Sequence, residues 1–325
     1  MISTVARLFH IKPKTLNYWY KEILSNYHID KENKEFAGNS IYEVDFETGE
    51  VRQETVIQIL KPDNVGPKMC IDEKMIGKRY CSILTNAETG KMAMLIENMR
   101  PEIVKRALLS LGETAVGKVK QICSDMSPMF KKMCLEVFPD ATLSVDKFHV
   151  IKQVLDVLQS KRIEAKNELK KEDANEVIAI YGWTKIELLE KSRYILYKQA
   201  NQLSSDELVV SKLLFHYFPE IKKAYELVEE FRNWYSKDNE NKHRWYLERT
   251  LGNWLIKVEN CEIKQFKFIR KMVEKHQNEI INYFETGHTN AKAENLNAKI
   301  QRFIIGNYGI RNKDFFYYRL QVYFT

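Results

Sequence analysis

The stretch from Lys68 to Asp146 constrains the fold most, because its apolar runs are too short for helices and too many for a helical bundle. KMCIDE (68–73), KRYCSILTN (78–86) and KMAMLIEN (91–98) are separated by turn signals, among them Ala87-Glu88-Thr89-Gly90, and this spacing predicts three successive antiparallel strands. PEIVKRALLSLG (101–112) then changes to helical spacing, opened by Pro101 at a favoured first-turn position. VKQICSD (119–125) is a fourth strand, SPMFKKMCLEVFPD (127–140) a second helix and ATLSVD (141–146) a fifth strand. The order β-β-β-α-β-α-β predicts an α/β domain built on a mixed five-stranded sheet.

The flanking sequence is of a different kind. From Phe148 to about Phe284 the pattern is helical and rich in lysine and glutamate, with aromatics such as Phe231, Trp234, Tyr235 and Trp254 at core-like spacing. At the N-terminus, residues 3–25 carry two short apolar-periodic segments around the break Lys12-Pro13-Lys14. This is the pattern of a helix-turn-helix or an ordinary helical hairpin, and Lys14, Asn17, Tyr18 and Lys21 are the side chains that could enter a groove. Residues 26–65 read as a strand pair around Glu47-Thr48-Gly49, then a linker ending at Pro62-Asp63-Asn64. The expected organisation is a helix-turn-helix-like region at 1–28, a linker at 29–65, an α/β domain at 66–152 and 286–325, and a helical insertion at 153–285.

Composition narrows the setting. No apolar run approaches the roughly 18 residues of a membrane span, and the first residues lack the apolar stretch of a secretory signal. The five cysteines contain no CxxC pair, which suits reduced, buried residues in the cytoplasm. The net charge of +7 favours a polyanionic partner.

Two aspartates stand at strand ends. Asp72 follows Met69-Cys70-Ile71 and Asp125 follows Ile122-Cys123-Ser124. If the first and fourth strands are neighbours, the two carboxylates lie side by side, an arrangement that repels itself unless a cation intervenes. Magnesium, a hard ion taking oxygen ligands, is the natural candidate. Glu294, in TNAKAENLNAKIQRFI (289–304), is a candidate third acid: on a helix, Leu296, Ile300 and Phe303 share one face while Asn290, Glu294, Asn297 and Gln301 share nearly the opposite one, with Lys299 and Arg302 beside it. The same projection describes a solvated helix face, so spacing alone leaves both readings open.

Five stretches in order resemble the DDE transposases of bacterial insertion sequences, specifically the ISL-three group: IDE (71–73), SDMSPMF (124–130), FPDATLSVDKFHVIK (138–152), LLEKSRYILYKQANQLS (188–204), and TNAKAENLNAKIQRF with GNYGIRNKDFF (289–316). The resemblance runs through residues 66–320 and implies an RNase H-like fold of order β-β-β-α-β-α-β-α, interrupted before its last catalytic helix by a helical insertion. It implies a transposase that cuts and rejoins DNA at its element's terminal inverted repeats, with Asp72, Asp125 and Glu294 as catalytic residues holding two Mg²⁺ or Mn²⁺ ions.

The resemblance extends to Asp146 and His149. Asp146 could stand in for the second acid, but it follows the fifth strand, and Asp125 is preferred. His149 suits a structural or DNA-contacting role, and Glu73 should face the other side of its strand. Contacts to the inverted repeats and target DNA would come from Lys14, Asn17, Lys147, His149, Lys152, Lys299, Arg302, Arg311 and Lys313. Pairing of two element ends implies a homo-oligomer acting on the bacterial nucleoid. Family members commonly carry cysteines of a zinc-binding module near the N-terminus, and this sequence has none before Cys70. Either a separately encoded polypeptide supplies that function, or residues 1–65 are a reduced DNA-binding region, or the reading frame is truncated. The alternative functions are a catalytically inactive element-encoded repressor and an RNase H-like nuclease of other specificity.

Overall fold

The computed structural model describes residues 2–32, 38–44, 51–171, 177–178, 182–287, 290–307, 310 and 312–325, which cluster into two compact units: 1–144 with 288–325, and 145–287. The first unit opens with helices α1 (Ile2–Leu8), α2 (Pro13–Trp19) and α3 (Tyr27–Glu32), α2 continuing into a π-helical turn over Tyr20–Leu24. The chain then forms strands β1 (Gly38–Val44), β2 (Val51–Leu60), β3 (Lys68–Ile76), β4 (Arg79–Asn86) and β5 (Met92–Ile96). Helices α4 (Pro101–Leu109) and α5 (Glu113–Val116), strand β6 (Gln121–Ser124), helix α6 (Pro128–Val137) and strand β7 (Thr142–Val145) follow.

The sheet has the order β1-β2-β5-β4-β3-β6-β7. Its five strands from β3 onward are those expected, β3 running three residues further and the other four shortened at their ends, and their mixed pairing, with β3 antiparallel to β4 and parallel to β6, is that of an RNase H-like domain. The expected five-stranded sheet is nonetheless extended to seven. The hairpin foreseen within residues 26–65 is present, its turn at 45–50 lying outside the described residues, but 51–60 is not linker. Gln58, Ile59 and Leu60 pair antiparallel with Ile96, Leu95 and Met94, which adds β1 and β2 to the β5 edge. Val56, Ile57 and Ile59 are buried, so β2 has a hydrophobic reason to join the sheet.

Both faces of the sheet are covered, which is why MAMLI in β5 is apolar without alternation. On one face Met69, Ile71, Leu84, Met94 and Ile122 pack against Ile103, Val104 and Leu108 of α4 and Phe130, Met133 and Val137 of α6. Helices α4 and α6 each begin at a proline, whose missing N–H would have no partner in a first turn. The tight β4–β5 turn uses Asn86 Oδ1 to accept the backbone N–H groups of Glu88 and Thr89 at 2.9 and 3.0 Å, and places Gly90 at φ +75°, where a side chain would be strained.

The second unit is helical: α7 (Lys147–Lys171), α8 (Lys185–Lys191), α9 (Ser205–Tyr217), α10 (Pro219–Trp234), α11 (Arg244–Glu259), α12 (Phe266–Lys275) and α13 (Gln277–Thr286), with a two-residue strand pair joining Val177–Ile178 to Trp183–Thr184. Phe231, Trp234, Tyr235 and Trp254 are core, as their spacing suggests, and Phe231 stacks obliquely on Trp254 at 4.7 Å. Tyr194 and Trp245 from the same aromatic series are exposed instead. No helix among the described residues is long and apolar enough to cross a membrane.

The chain returns to the first unit as α14 (Ala291–Gly306) and α15 (Lys313–Phe324). These cover the other sheet face: Leu296 and Ile300 of α14 and Phe315, Phe316, Tyr317 and Leu320 of α15 pack on Ile76, Cys81, Ile83 and Leu95. The N-terminal helices join this layer through Tyr27, whose ring meets Phe315 and Tyr318 edge-on, each at 5.2 Å. Tyr318 Oη also donates to Asp30 Oδ2 at 2.6 Å. Leu84 lies at the centre of the sheet with no exposed surface. Leu84→Ala is expected to lower stability by about 2–5 kcal/mol, read from the urea midpoint.

Candidate active site

Asp72 and Asp125 are brought to neighbouring positions by strand register. The parallel ladder pairs Lys68 with Gln121, Met69 with Ile122 and Cys70 with Cys123. Each aspartate lies two residues beyond the last pair, so the ladder carried forward sets Asp72 beside Asp125, on the side faced by Cys70 and Cys123. The burial pattern of β3 changes there, from fully buried Ile71 to half-buried Asp72. Asp125 is also half-buried, and its Oδ1 accepts the backbone N–H of Ser127 at 2.9 Å just ahead of α6. Ser127, the expected start of that helix, holds the cap position without a side-chain bond, and the Asp125 carboxylate fixes the turn that leads into it. Glu73 is exposed, one step along β3 from Asp72.

Glu294 reaches the same side of the sheet on α14. Ala293, buried, sits on Cys70 and Cys123. Three small side chains meet there, which lets the helix backbone come close to β3 and β6. One turn later Asn297 donates through Nδ2 to Asp72 Oδ2 at 2.8 Å. Leu296 and Ile300 are buried, Phe303 is half-buried against the same layer, and Glu294 and Gln301 are exposed. This division of faces is the one expected of the helix, apart from Asn290, which is buried at the helix start and accepts the Glu294 backbone N–H at 2.9 Å.

The elements that carry the three acids, β3, β6 and α14, thus meet on one side of the sheet. Among the described residues, however, no three His, Cys, Asp or Glu side chains stand close enough to hold a metal ion together. Carboxylates without a cation between them repel, and Asp72 and Asp125 each take backbone N–H donors instead, Asp72 Oδ1 that of Glu73 at 2.8 Å. The donor chemistry fits a hard divalent cation, since all three groups offer only carboxylate oxygens. Thiol chemistry has little support: burial pushes Cys134 up to about 12, with the charge of Asp125 adding to the effect, and burial likewise pushes Cys81 up to about 12.

The expected DNA contacts divide into several kinds. Lys14 and Asn17 are exposed on α2, and Lys299 and Arg302 are exposed on α14, where a phosphate could reach them. Lys147, His149 and Lys152 belong to the second unit. There Asp146 is buried, accepting the Phe148 N–H at 3.1 Å and pairing with His149 Nδ1 at 2.6 Å, which is how α7 is capped. The Lys147 ammonium lies over the rings of Tyr283 and Tyr235, at 4.9 and 5.2 Å. Lys152 is exposed, and Arg311 lies outside the described residues. Lys313 is exposed but forms an ion pair with the buried carboxylate of Glu97.

Nothing in the sequence pattern singles out Glu97. Arg79 Nη1 stands 3.8 Å from Glu97 Oε2, and Tyr317 Oη donates to Oε1 at 3.1 Å. Burial raises the Tyr317 pKa far above its usual range, which keeps the phenol protonated as a donor. The small contact beneath the aspartates has a legible signal in the repeated Cys-x-Asp at 70–72 and 123–125; Asp125 follows the end of β6 as expected, whereas Asp72 is not at a strand end, because β3 runs on to Ile76 in its pairing with β4.

The sequence matches a transposase family, the ISL-three type of DDE transposase, over residues 69–320. No curated protein matches it. Among solved structures it is similar to the Drosophila P element transposase strand transfer complex, with 12% identity and a TM-score of 0.39 over 99% of this chain and 90% of that one. A likeness that distant locates no residue.

Two substitutions test this geometry. Ala293→Leu should overpack the contact with Cys70 and Cys123 and cost about 1–3 kcal/mol in a urea titration. Lys313→Met should cost about 1–3 kcal/mol by removing a partner of the buried Glu97 carboxylate. A lysine that served only to meet phosphate would leave the urea midpoint unchanged.

Proposed function

Since the chain belongs to the ISL-three family of DDE transposases, a family of DNA-cutting and strand-transferring enzymes that move insertion sequences, we propose that Asp72, Asp125 and Glu294 are its catalytic residues and hold two Mg²⁺ or Mn²⁺ ions. The parallel register that carries Cys70 and Cys123 toward Asp72 and Asp125 is the observation that best supports this reading. Carried two residues further, that register would set the two acids side by side, where a cation between them would relieve their repulsion. The bond from Asn297 to Asp72 supports Glu294 as the third acid, because it ties the glutamate's helix to the first aspartate.

Two divalent ions held by these carboxylates would supply activation of a water or a DNA 3'-hydroxyl and charge stabilisation for the attacking and leaving oxygens of an in-line displacement. The protein's own part is to hold those oxygens in line. Asp72 and Asp125 supply carboxylates from two rigid strands, and Glu294 supplies one from a helix anchored by Leu296 and Ile300. No side-chain nucleophile is needed. Asp146 is better suited to capping α7, given its bonds to Phe148 and His149.

DNA would be held by phosphate contacts, with Lys299 and Arg302 beside Glu294 and Lys14 and Asn17 on α2 as first candidates. Helices α1 and α2 are proposed as a helix-turn-helix-like reader of the inverted repeats, alone or with a separately encoded zinc-binding polypeptide. Two ends must be joined, so the active species is proposed to be a homo-oligomer working on nucleoid DNA in the bacterial cytoplasm.

The decisive assay incubates the purified protein with linear DNA carrying the element ends and Mg²⁺ or Mn²⁺. Wild type is expected to nick at the ends, and Asp125→Ala and Glu294→Ala to lose at least about 100-fold in rate while still binding DNA. Binding without cleavage by all three proteins would indicate a repressor, and cleavage indifferent to the end sequence a nuclease. Lys299→Ala and Arg302→Ala should each reduce the slope of log affinity against log salt by about 1.

A further inference from the structure

Asn297 relates the first acid to the helix of the third. Its Nδ2 donates to Asp72 Oδ2 at 2.8 Å, while the other oxygen of that carboxylate takes the backbone N–H of Glu73, also at 2.8 Å. The two donors differ in origin. The Glu73 N–H belongs to β3 and moves with Asp72, so it cannot report on anything beyond the strand. Asn297 comes from α14, 225 residues further along the chain, one turn beyond Glu294. A donor on each oxygen, from two elements, fixes rotation about the Cβ–Cγ bond of Asp72 in a way that one donor would not.

The amide itself is constrained. Leu296 and Ile300, with 2% and 0% exposure, flank it on the buried side of α14, so its backbone has little freedom to follow Asp72 elsewhere. Its chemistry is also selective. A carboxylate at 297 would repel Asp72 and add a fourth anionic donor, and a lysine would neutralise the charge a cation needs. An amide N–H does neither.

We propose that Asn297 is a positioning residue for metal binding: it holds the Asp72 carboxylate in the orientation a divalent cation takes, and keeps that orientation in register with Glu294. The proposal rests on the reading of Asp72, Asp125 and Glu294 as metal-holding acids. Asn297 acts through Asp72 and touches neither the cation nor DNA. Loss of such an outer contact weakens metal affinity more than it slows a saturated site.

The test uses the full chain and Mn²⁺ as probe, with binding followed by electron paramagnetic resonance in the absence of DNA and end cleavage followed against Mn²⁺ concentration. Asn297→Ala is expected to raise both the half-occupancy and the half-maximal-rate concentrations by about 10- to 100-fold, with the rate at saturating Mn²⁺ nearly retained. Asn297→Asp should disturb both curves despite its equal size, and Asn297→Gln, which keeps the amide, should recover part of the affinity. Asn297→Ser, too short to reach Asp72, replaces the alanine variant if circular dichroism shows that protein unfolded. Unchanged half-saturation in a folded variant overturns the proposal, as does a lower saturated rate with unchanged Mn²⁺ binding. Asp72→Ala separates the two failures: if it binds Mn²⁺ like wild type, the acids do not hold the metal at all, whereas if it loses Mn²⁺ while Asn297→Ala keeps normal affinity, only the role of Asn297 is lost.

Discussion

The close approach of α14 to β3 and β6 is the contact on which the candidate site depends. Strand register carries β3 and β6 toward Asp72 and Asp125, but Glu294 arrives from a segment that follows a second, mainly helical unit. What sets its helix down is a contact of small side chains, Ala293 on Cys70 and Cys123, followed one turn later by the Asn297–Asp72 hydrogen bond. Leu296 and Ile300 then bury the rest of the helix against Ile76 and Ile83. A large residue at any of the three small positions would lift the helix and carry Glu294 with it.

The same layer explains why both ends of the chain belong to the first unit. Phe315 and Tyr318 of α15 take the ring of Tyr27, and Tyr318 also bonds to Asp30. Arg319 lies over the rings of Phe315 and Phe303, at 5.0 and 5.1 Å. Buried Glu97, ringed by Lys313, Arg79 and Tyr317, ties α15 to the end of β5 and the start of β4. Helix α15 is thus partly core and partly ion pair, which leaves less of its surface for a nucleic acid.

How much of this was legible depended on whether the signal was local. The five strands from β3 to β7, helices α4 and α6, and the apolar and polar faces of α14 follow from short-range periodicity, and the structure has them with small changes at the ends. The hairpin 38–60 was recognised as strands, but its place in the sheet was not, because edge pairing of Gln58–Leu60 with Met94–Ile96 is a long-range choice made by burial of Val56, Ile57 and Ile59. The helical unit begins near 145 rather than 153 for a local reason that was overlooked: Asp146 caps α7 through the Phe148 N–H. At the site, Asp72, Asp125 and Glu294 could be nominated from the strand pattern and motif order. The partner of Asn297 could not, since only the packed structure reveals a bond between residues 225 positions apart.

Convergence of Asp72, Asp125 and Glu294 on shared metal ions is the central claim, and iron-directed cleavage of the polypeptide tests it most directly. Fe²⁺ exchanged into the site, with ascorbate and peroxide, generates short-lived radicals that cut the backbone only nearby, and mass spectrometry maps the cuts. Three clusters of cuts, around residues 72, 125 and 294, all suppressed by excess Mg²⁺, are the predicted result. Cuts centred instead on 146–149, or cuts near only one of the three acids, would contradict it.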